Sequence, residues 1–280
     1  MLSKNQASHI RSLKIKKFRE EHGQFVAEGG RLVTDLLNSS FTVLSIYADE
    51  DWLAGNRSLL EKRNVPCIPV TAGEMERITA LATPGPALAV VGIPATPQPG
   101  ELSTLGGNGR LFLALDDIRD PGNLGTILRV ADWFGIDAVL CSAATVDLYN
   151  PKVVQATMGS IARVKVFDGD LPGMIATLSE AGHHDRSHPP RQGPRTLTVY
   201  GSFLDGESLY SQDLHRGGVI VIGNESRGVS PDLLPLISHR LLVPSFGESG
   251  RPRAESLNAS VATALICAEF RRQQSNKSMQ

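Results

Sequence analysis

Several side chains that could bind or position a polar ligand stand at turns in the second half of the chain. Within residues 116–137, two acids end an apolar run, and the following turn leads into a helical pattern that carries Asn123, Gly125 and Arg129. Six residues separate Asn123 from Arg129, close to two helical turns, so we expect their side chains to reach a common region. The alternative is a βα turn with a capping asparagine and a solvated arginine.

A second turn, within residues 219–230, follows a short apolar run and carries Gly223, Asn224 and Glu225. A glycine at the end of a strand leaves backbone N–H and C=O groups open to a ligand. Glu225 stands where the tip of a strand would place it in a cleft. Alternatively, it is an acid at the start of a helix, where the helix dipole favours negative charge.

A third turn joins the apolar run at 241–243 to a helix that begins near Ser256, Leu257 and Asn258. Asn258 or Ser256 is the predicted N-cap of this helix. The first N–H groups of a helix have no partner inside it, so this terminus would present donors to a polar ligand.

Apolar strands are expected to position these turns. The runs at 111–118, 138–143 and 217–225 are separated by helical patterns, which predicts an α/β fold with a parallel sheet covered on both faces. Ligands of such sheets bind beyond the carboxyl ends of the strands. The polar stretch 182–196 interrupts the pattern and is interpreted as a surface loop.

The first third of the chain has its own pattern. Residues 8–93 alternate helical and short apolar stretches and predict a smaller α/β unit. Residues 93–109 are dense in Pro, Gly and Thr, and we interpret them as a linker because prolines resist helix and sheet. The predicted organisation is therefore a domain at 1–95, a linker at 96–109 and a domain at 110–275.

Composition limits the class of protein. The 280 residues are 41% hydrophobic, as in a chain with a packed core. No apolar run is long enough to cross a bilayer or resembles that of a signal peptide, which predicts a cytoplasmic protein without membrane contact. Cys67, Cys141 and Cys267 lie too far apart for a zinc site or a disulfide framework and are interpreted as buried apolar residues. The histidines of the 182–196 loop are interpreted as solvated, so no metal site is predicted.

Charge is distributed unevenly along the chain. The net charge is −1, yet the first nineteen residues contain six basic residues and no acid. The basic residues are Lys4, Arg11, Lys14, Lys16, Lys17 and Arg19. Taken alone, this run is typical of a solvated helix face; beside an RNA substrate it would contact phosphates.

Together, the three turns resemble, in order, the three motifs of the SpoU family of RNA ribose 2′-O-methyltransferases. The similarity lies in N-x-G-x-x-x-R at 123–129, G-N-E-x-x-G at 223–228 and V-P…G…S-L-N at 243–258. Residues 146–161 also resemble the stretch that follows the first motif. The resemblance covers about 111–273, and the N-terminal part is more weakly similar to the ribosomal-protein-like substrate-binding domain of several members.

The resemblance implies the fold of the SPOUT superfamily, with a C-terminal trefoil knot, and a homodimer whose partner contributes to the site. It implies S-adenosylmethionine as cofactor and RNA as substrate, ribosomal RNA ahead of transfer RNA by analogy with members that carry an N-terminal domain. The implied reaction centre consists of Asn123, Arg129, Glu225, Ser256 and Asn258. The implied cofactor contacts are Gly223, Asn224, Val243 and Leu257.

One departure from the family concerns the third motif. Residues 244–255 form a longer loop than usual and include Arg251 and Arg253. We expect this loop to lengthen the rim of the cofactor pocket or to touch RNA.

Other functions fit parts of the sequence. A nucleotide-dependent dehydrogenase would use similar strands and turns, but no G-x-G-x-x-G follows a strand and no phosphate-binding loop is present. A non-catalytic RNA-binding protein of the same fold would be expected to lose the polar motif residues, which are present. A transfer-RNA 2′-O-methyltransferase stays open, because the sequence identifies neither the RNA nor the nucleotide.

Overall fold

The computed structural model describes residues 1–95, 99–106, 109–181, 197–246 and 254–278. The chain divides into two compact units. The N-terminal unit comprises Met1–Ala95 and Asp147–Arg163, and the C-terminal unit comprises Thr96–Val146 and Val164–Gln280. The grouping of 147–163 with the N-terminal residues is a feature that the sequence pattern did not indicate.

The described residues form these strands: β1 (Gln24–Glu28), β2 (Val43–Ala48), β3 (Cys67–Pro69), β4 (Ala87–Gly92), β5 (Leu111–Leu115), β6 (Ala138–Ser142), β7 (Val166–Gly169), β8 (Val199–Ser208), β9 (Gly218–Ile222) and β10 (His239–Leu242). They form these helices: α1 (Lys4–Ser12), α2 (Lys16–His22), α3 (Gly30–Leu37), α4 (Glu50–Gly55), α5 (Arg57–Arg63), α6 (Ala72–Glu76), α7 (Pro99–Ser103), α8 (Pro121–Trp133), α9 (Pro151–Ala156), α10 (Leu171–Ala181) and α11 (Ala259–Ser278).

The N-terminal unit is built on a four-stranded sheet of order β1-β4-β2-β3. β4 runs antiparallel to both β1 and β2, whereas β2 and β3 are parallel. Side chains alternate between the faces of a strand, so Phe25 and Ala27 of β1 join one apolar cluster while Val26 joins another. The sheet therefore has a core on each face.

Residues 147–163 contribute to this core. Val154 of α9 and Ile161 pack in the same cluster as Phe25. Asp147 accepts a 3.1 Å hydrogen bond from the Nε atom of Arg19, whose side chain is buried. Because a buried charge requires a partner, this ion pair binds the segment to α2.

The C-terminal unit is built on a six-stranded sheet of order β10-β8-β9-β5-β6-β7. All neighbouring strands are parallel. β5 lies between β9 and β6 and is buried along its whole length, as a continuous apolar run predicts for a central parallel strand. The carboxyl ends of β5 and β9 are therefore adjacent, and the turns that follow them meet.

The predicted α/β class with a parallel sheet is confirmed. The expectation that prolines keep residues 93–109 free of helix is wrong for Pro99–Ser103, which form α7. Proline is compatible with the first turn of a helix because its missing N–H would have no partner there. Leu102 and Leu105 are buried in the core of the C-terminal unit, so this stretch also holds more apolar surface than its composition suggested.

The cysteines follow the prediction in two positions of three. Cys141 and Cys267 are buried, and burial raises the pKa of each thiol to about 12. Cys67 is half-buried, and burial raises its pKa as well.

Candidate active site

The first motif lies at the beginning of α8, directly after β5. The Asp120 side chain caps this helix by accepting a 2.8 Å hydrogen bond from the backbone N–H of Asn123, and Pro121 occupies the first helical position. Asp120 therefore caps the helix, and the Asn123 side chain, which is buried, is available for other contacts.

The second motif forms a closed turn after β9. The backbone groups of Asn224 and Gly228 exchange two hydrogen bonds of 2.9 Å. A Cβ atom on Gly223 would lie 2.3 Å from the carbonyl carbon of Gly228, so only glycine fits there. Gly228 itself has a φ of +70°, a conformation that glycine adopts without strain. The turn projects Glu225 toward α8.

The third motif provides the start of α11. The Oδ1 atom of Asn258 accepts from the backbone N–H of Ser260 at 2.9 Å and of Val261 at 3.4 Å. Of the two predicted candidates, Asn258 is therefore the N-cap. α11 packs against α8, which brings this cap to the first motif.

One chain of hydrogen bonds joins the three motifs. The Nδ2 atom of Asn123 donates to Glu225 Oε1 at 2.9 Å, and Asn258 Nδ2 donates to Asn123 Oδ1 at 2.8 Å. The two contacts fix both polar atoms of the Asn123 amide. Side chains from three distant parts of the sequence thus form a single polar network, which we call the motif network: Asn123, Glu225 and Asn258.

The Glu225 carboxylate is held in its charged form. Burial raises the pKa of this carboxyl, but hydrogen bonds from the Asn123 side chain and from backbone N–H groups, including those of Asp120 and Arg119, lower it, and the net pKa shift is downward. The backbone contacts measure 3.3 Å to Asp120 and 3.4 Å to Arg119. Glu225 is therefore an acceptor near neutral pH, and not a general acid.

Arg129 is not joined to this network. Its side chain is exposed on α8, and within the described parts of the chain it makes no hydrogen bond or ion pair. Six residues of α-helix correspond to about 600° of rotation, so Asn123 and Arg129 project about 120° apart. The expectation that these two side chains reach a common region of one subunit is not met.

The other predicted site residues differ in their surroundings. Ser256 and Leu257 are exposed just before α11, and Val243 is half-buried just after β10. The Asn224 side chain is buried and engaged in the turn: it accepts from the backbone N–H groups of Ser226 and Arg227 and donates to the Asp117 carbonyl at 2.7 Å. Arg251 and Arg253 lie outside the described residues.

Asp117 is a participant that sequence reasoning did not single out. It adopts a φ of +57°, and its backbone N–H donates to Ser142 Oγ at 2.8 Å. Its carboxylate bonds to two arginines, Arg119 and Arg227. The sequence shows only that two acids follow β5, and this does not predict which groups the Asp117 carboxylate contacts.

The match to a family model decides the assignment. Residues 110–268 match the SpoU rRNA Methylase family, and residues 4–89 match the MRM3-like substrate binding domain. The chain belongs to the SpoU rRNA methylase family. The resemblance predicted from the three motifs is thus confirmed, together with the weaker one for the N-terminal part and the assignment to the methyltransferases.

Relatives of similar length support this membership. A 23S rRNA (guanosine(2553)-2′-O)-methyltransferase, RlmP, from Bacillus subtilis is 29% identical over 263 residues, covering 93% of this chain and 94% of the relative. A solved structure of a TrmH-family protein from Porphyromonas gingivalis is 35% identical with a TM-score of 0.78, covering 98% of this chain and 99% of that one. An AdoMet-bound rRNA methyltransferase from Sinorhizobium meliloti is 26% identical with a TM-score of 0.80, covering 97% and 96%.

Two further observations concern other classes of site. Within the described ranges, no group of three or more His, Cys, Asp or Glu side chains is arranged to hold a metal ion. Within the same ranges, no helix combines the length and apolar character needed to span a bilayer. His183, His184 and His188 lie outside the described residues.

Proposed function

We propose that this SpoU-family protein transfers a methyl group from S-adenosylmethionine to a ribose 2′-hydroxyl of ribosomal RNA. The observation that carries the proposal is the motif network, because it brings one polar side chain from each of the three motifs to the edge where the parallel strands β5 and β9 end. Ligands of parallel sheets bind at this edge.

The residues around the network fit S-adenosylmethionine. Leu257 exposes 48% of its surface beside Asn258, and Val243 is half-buried, so both offer apolar surface to an adenine ring. Residues 243–246 and 254–258 form neither helix nor strand, which leaves backbone N–H and C=O groups for the cofactor's polar atoms. When bound, the cofactor supplies an electrophilic methyl group on a positively charged sulfonium.

The motif network would then act by positioning. A ribose hydroxyl must lose its proton while its oxygen attacks the methyl carbon in line with the departing sulfur, and correct placement accounts for much of such an acceleration. With both polar atoms of the Asn123 amide fixed, its remaining N–H and that of Asn258 are oriented donors for ribose oxygens. Ser256, which is exposed two residues before Asn258, would contribute a hydroxyl.

Arg129 would act across a homodimer interface. Its guanidinium remains protonated, so it would bind the adjacent phosphate or stabilise the developing negative charge rather than remove a proton. Arg129 is exposed on α8, one turn before Trp133, which exposes 85% of its surface. An exposed tryptophan beside Arg129, which makes no hydrogen bond or ion pair with any described residue, supports the proposal that this face of α8 meets a second copy.

An apolar stripe on α11 supports the same interface. Val261 and Leu265 are spaced four residues apart on α11 and are both exposed, at 47% and 38%. Residues at this spacing lie on one side of a helix. Since α11 packs on α8, a second copy covering the stripe would also approach Trp133.

The N-terminal unit would bind the RNA. Five basic residues of the first nineteen are exposed on or beside α1 and α2: Lys4, Arg11, Lys14, Lys16 and Lys17. They supply a surface for phosphates. The sixth, Arg19, is buried in the ion pair with Asp147 and is withdrawn from this role. Ribosomal RNA is transcribed and assembled in the cytoplasm of bacteria, where we place the protein.

The test is methyl transfer from radiolabelled S-adenosylmethionine to separate pools of unmodified ribosomal and transfer RNA. We expect label in ribosomal RNA for the wild type and at least a hundredfold less for Arg129→Ala, about the loss seen when an enzyme's charge-stabilising group is removed. Label in transfer RNA alone would show that the substrate is transfer RNA and not ribosomal RNA. No label in either pool and no binding of S-adenosylmethionine would contradict the function itself.

A further inference from the structure

We propose that Arg119 and Arg227 form a phosphate-binding pair that holds the RNA backbone beside the ribose to be methylated. This inference rests on the function proposed above and adds two substrate-binding residues that the three motif patterns do not specify.

The two arginines share one carboxylate. Arg119 Nε donates to Asp117 Oδ1 at 2.8 Å, and Arg227 Nη2 bonds to Asp117 Oδ2. Two guanidinium groups on one carboxylate leave a net charge of about +1 for the group. The carboxylate thus orients the pair without cancelling its attraction for an anion.

The carboxylate is itself fixed. The backbone of Asp117 is held by Ser142 Oγ on one side and by Asn224 Nδ2 on the other, at 2.8 and 2.7 Å. Because Asp117 is anchored, the arginines lose less side-chain freedom on binding a ligand than two free surface arginines would. The arrangement is therefore prepared for a ligand.

Most of the donors remain open. The side chains of Arg119 and Arg227 are each 64% exposed. A guanidinium has five N–H donors, and within the described residues these two side chains bond to Asp117 alone. Planar arrays of N–H groups match the oxygens of a phosphate.

The pair stands next to the motif network, where acids predominate. The backbone N–H of Arg119 donates to Glu225, and Asp116, Asp117 and Asp120 lie in the same stretch of chain. Without the arginines, these carboxylates would repel a polyanionic substrate. The hydrogen bond to Asp117 raises the pKa of Arg119, so the charge is permanent.

The alternative is a clamp that only stabilises the turn at Asp117. The two roles differ in salt dependence, because each phosphate contact releases counterions when RNA binds. We would measure the dissociation constant for unmodified 23S rRNA transcribed in vitro over a series of potassium chloride concentrations. The proteins are the full-length wild type, Arg119→Gln, Arg227→Gln, the double variant and the two Arg→Lys variants.

Arg110→Gln is the matched control. Arg110 also forms an ion pair with an aspartate, at 3.0 Å from Asp137. It precedes β5, however, and so lies at the amino-terminal end of this strand, whereas the motif network lies beyond the carboxyl end. Affinity for S-adenosylmethionine is measured for every protein to verify that the cofactor site is intact.

We expect the magnitude of the negative slope of log affinity against log salt to decrease by about 1 for each arginine replaced by glutamine, and the dissociation constant for RNA to rise about tenfold in the double variant. Arg110→Gln and the lysine variants keep the wild-type slope. An unchanged slope in the double variant, whatever its activity, overturns the phosphate role in favour of the clamp. Because RNA binding needs no methyl transfer, a wild type that binds RNA but transfers nothing would refute the proposed function separately.

Discussion

At the scale of single residues, Asn123 holds the central place because it contacts both neighbours in the motif network. Its amide donates to Glu225 and accepts from Asn258. Within the part of the chain that the structure describes, no hydrogen bond joins Glu225 to Asn258 directly, so the Asn123 side chain links the second motif to the third. We therefore expect Asn123 to hold Glu225 and Asn258 in position as well as to contact the substrate.

Replacing Asn123 by alanine should therefore lower kcat by about a hundredfold or more, since oriented donors lose their positions. The affinity for S-adenosylmethionine should change little, because the proposed cofactor contacts lie elsewhere. Single-turnover methyl transfer and calorimetric titration of the cofactor measure the two effects. A variant with wild-type kcat would remove Asn123 from the reaction centre.

Glu225 gives a prediction for pH. Its folded-state pKa is lowered below the ordinary 4.5, so its charge stabilises the folded state in full above that value. The contribution is lost as the pH falls through the folded-state pKa. The difference in unfolding free energy between wild type and Glu225→Gln should thus be constant near neutral pH and shrink below 4.5. Urea unfolding at a series of pH values measures it, and a difference that grows on acidification would contradict the assigned shift.

At the scale of elements, the site depends on adjacent strand ends. β5 and β9 are parallel neighbours, so the turns that follow them meet without further folding of the chain. This part of the site could be predicted from the sequence, because apolar runs identify the strands and polar residues mark their carboxyl ends. The return of α11 to α8 could not, since helical periodicity does not say which helix lies beside which. The trefoil knot implied by the family stays a prediction.

Other elements escaped sequence reasoning for identifiable reasons. Helix α7 was not predicted because it begins with a proline, a residue that usually opposes helix. The burial of Arg19 was not predicted because the basic residues near it in the sequence give no sign that it differs from them. Residues 147–163 resemble part of the methyltransferase sequence but belong to the N-terminal unit, where Asp147 pairs with Arg19. A partner 128 residues away leaves no local signal.

The closed turn after β9 provides the element-scale prediction. Gly223→Ala would force its Cβ into the Gly228 backbone at 2.3 Å, so the turn must open and carry Glu225 away from Asn123. We expect a loss of about 2 kcal/mol or more in unfolding free energy and a loss of methyl transfer. Gly55→Ala is the control, because a Cβ at Gly55, at the end of α4, meets nothing within 4 Å. Equal stability for the two variants would show that the turn tolerates a side chain.

At the scale of the whole molecule, the proposed homodimer makes the reaction centre a shared structure. Arg129 would serve the motif network of the partner subunit, which explains why it contacts no group of its own network. The exposed stripe of Val261 and Leu265 would be covered by the same association. The oligomer would therefore be required for activity.

Mixing two inactive variants tests this sharing. Arg129→Ala and Glu225→Gln lie on different sides of a shared site, so a heterodimer has one site with both defects and one intact site. An equal mixture should recover about a quarter of the wild-type activity once subunits exchange. Asn123→Ala and Glu225→Gln serve as the control. Both change the motif network of the same subunit, so their mixture should recover no activity. No recovery in the first mixture, with exchange verified by mass spectrometry, would place Arg129 in the site of its own subunit.

The central claim is that the methyl group reaches a ribose 2′-oxygen in ribosomal RNA. The most direct measurement is alkaline hydrolysis of ribosomal RNA labelled by the wild-type protein from radioactive S-adenosylmethionine. Alkali cleaves RNA through the 2′-hydroxyl, so a 2′-O-methyl group protects the adjacent phosphodiester bond. We predict that the label appears in alkali-stable dinucleotides. Label in mononucleotides would indicate methylation of a base and would contradict the account.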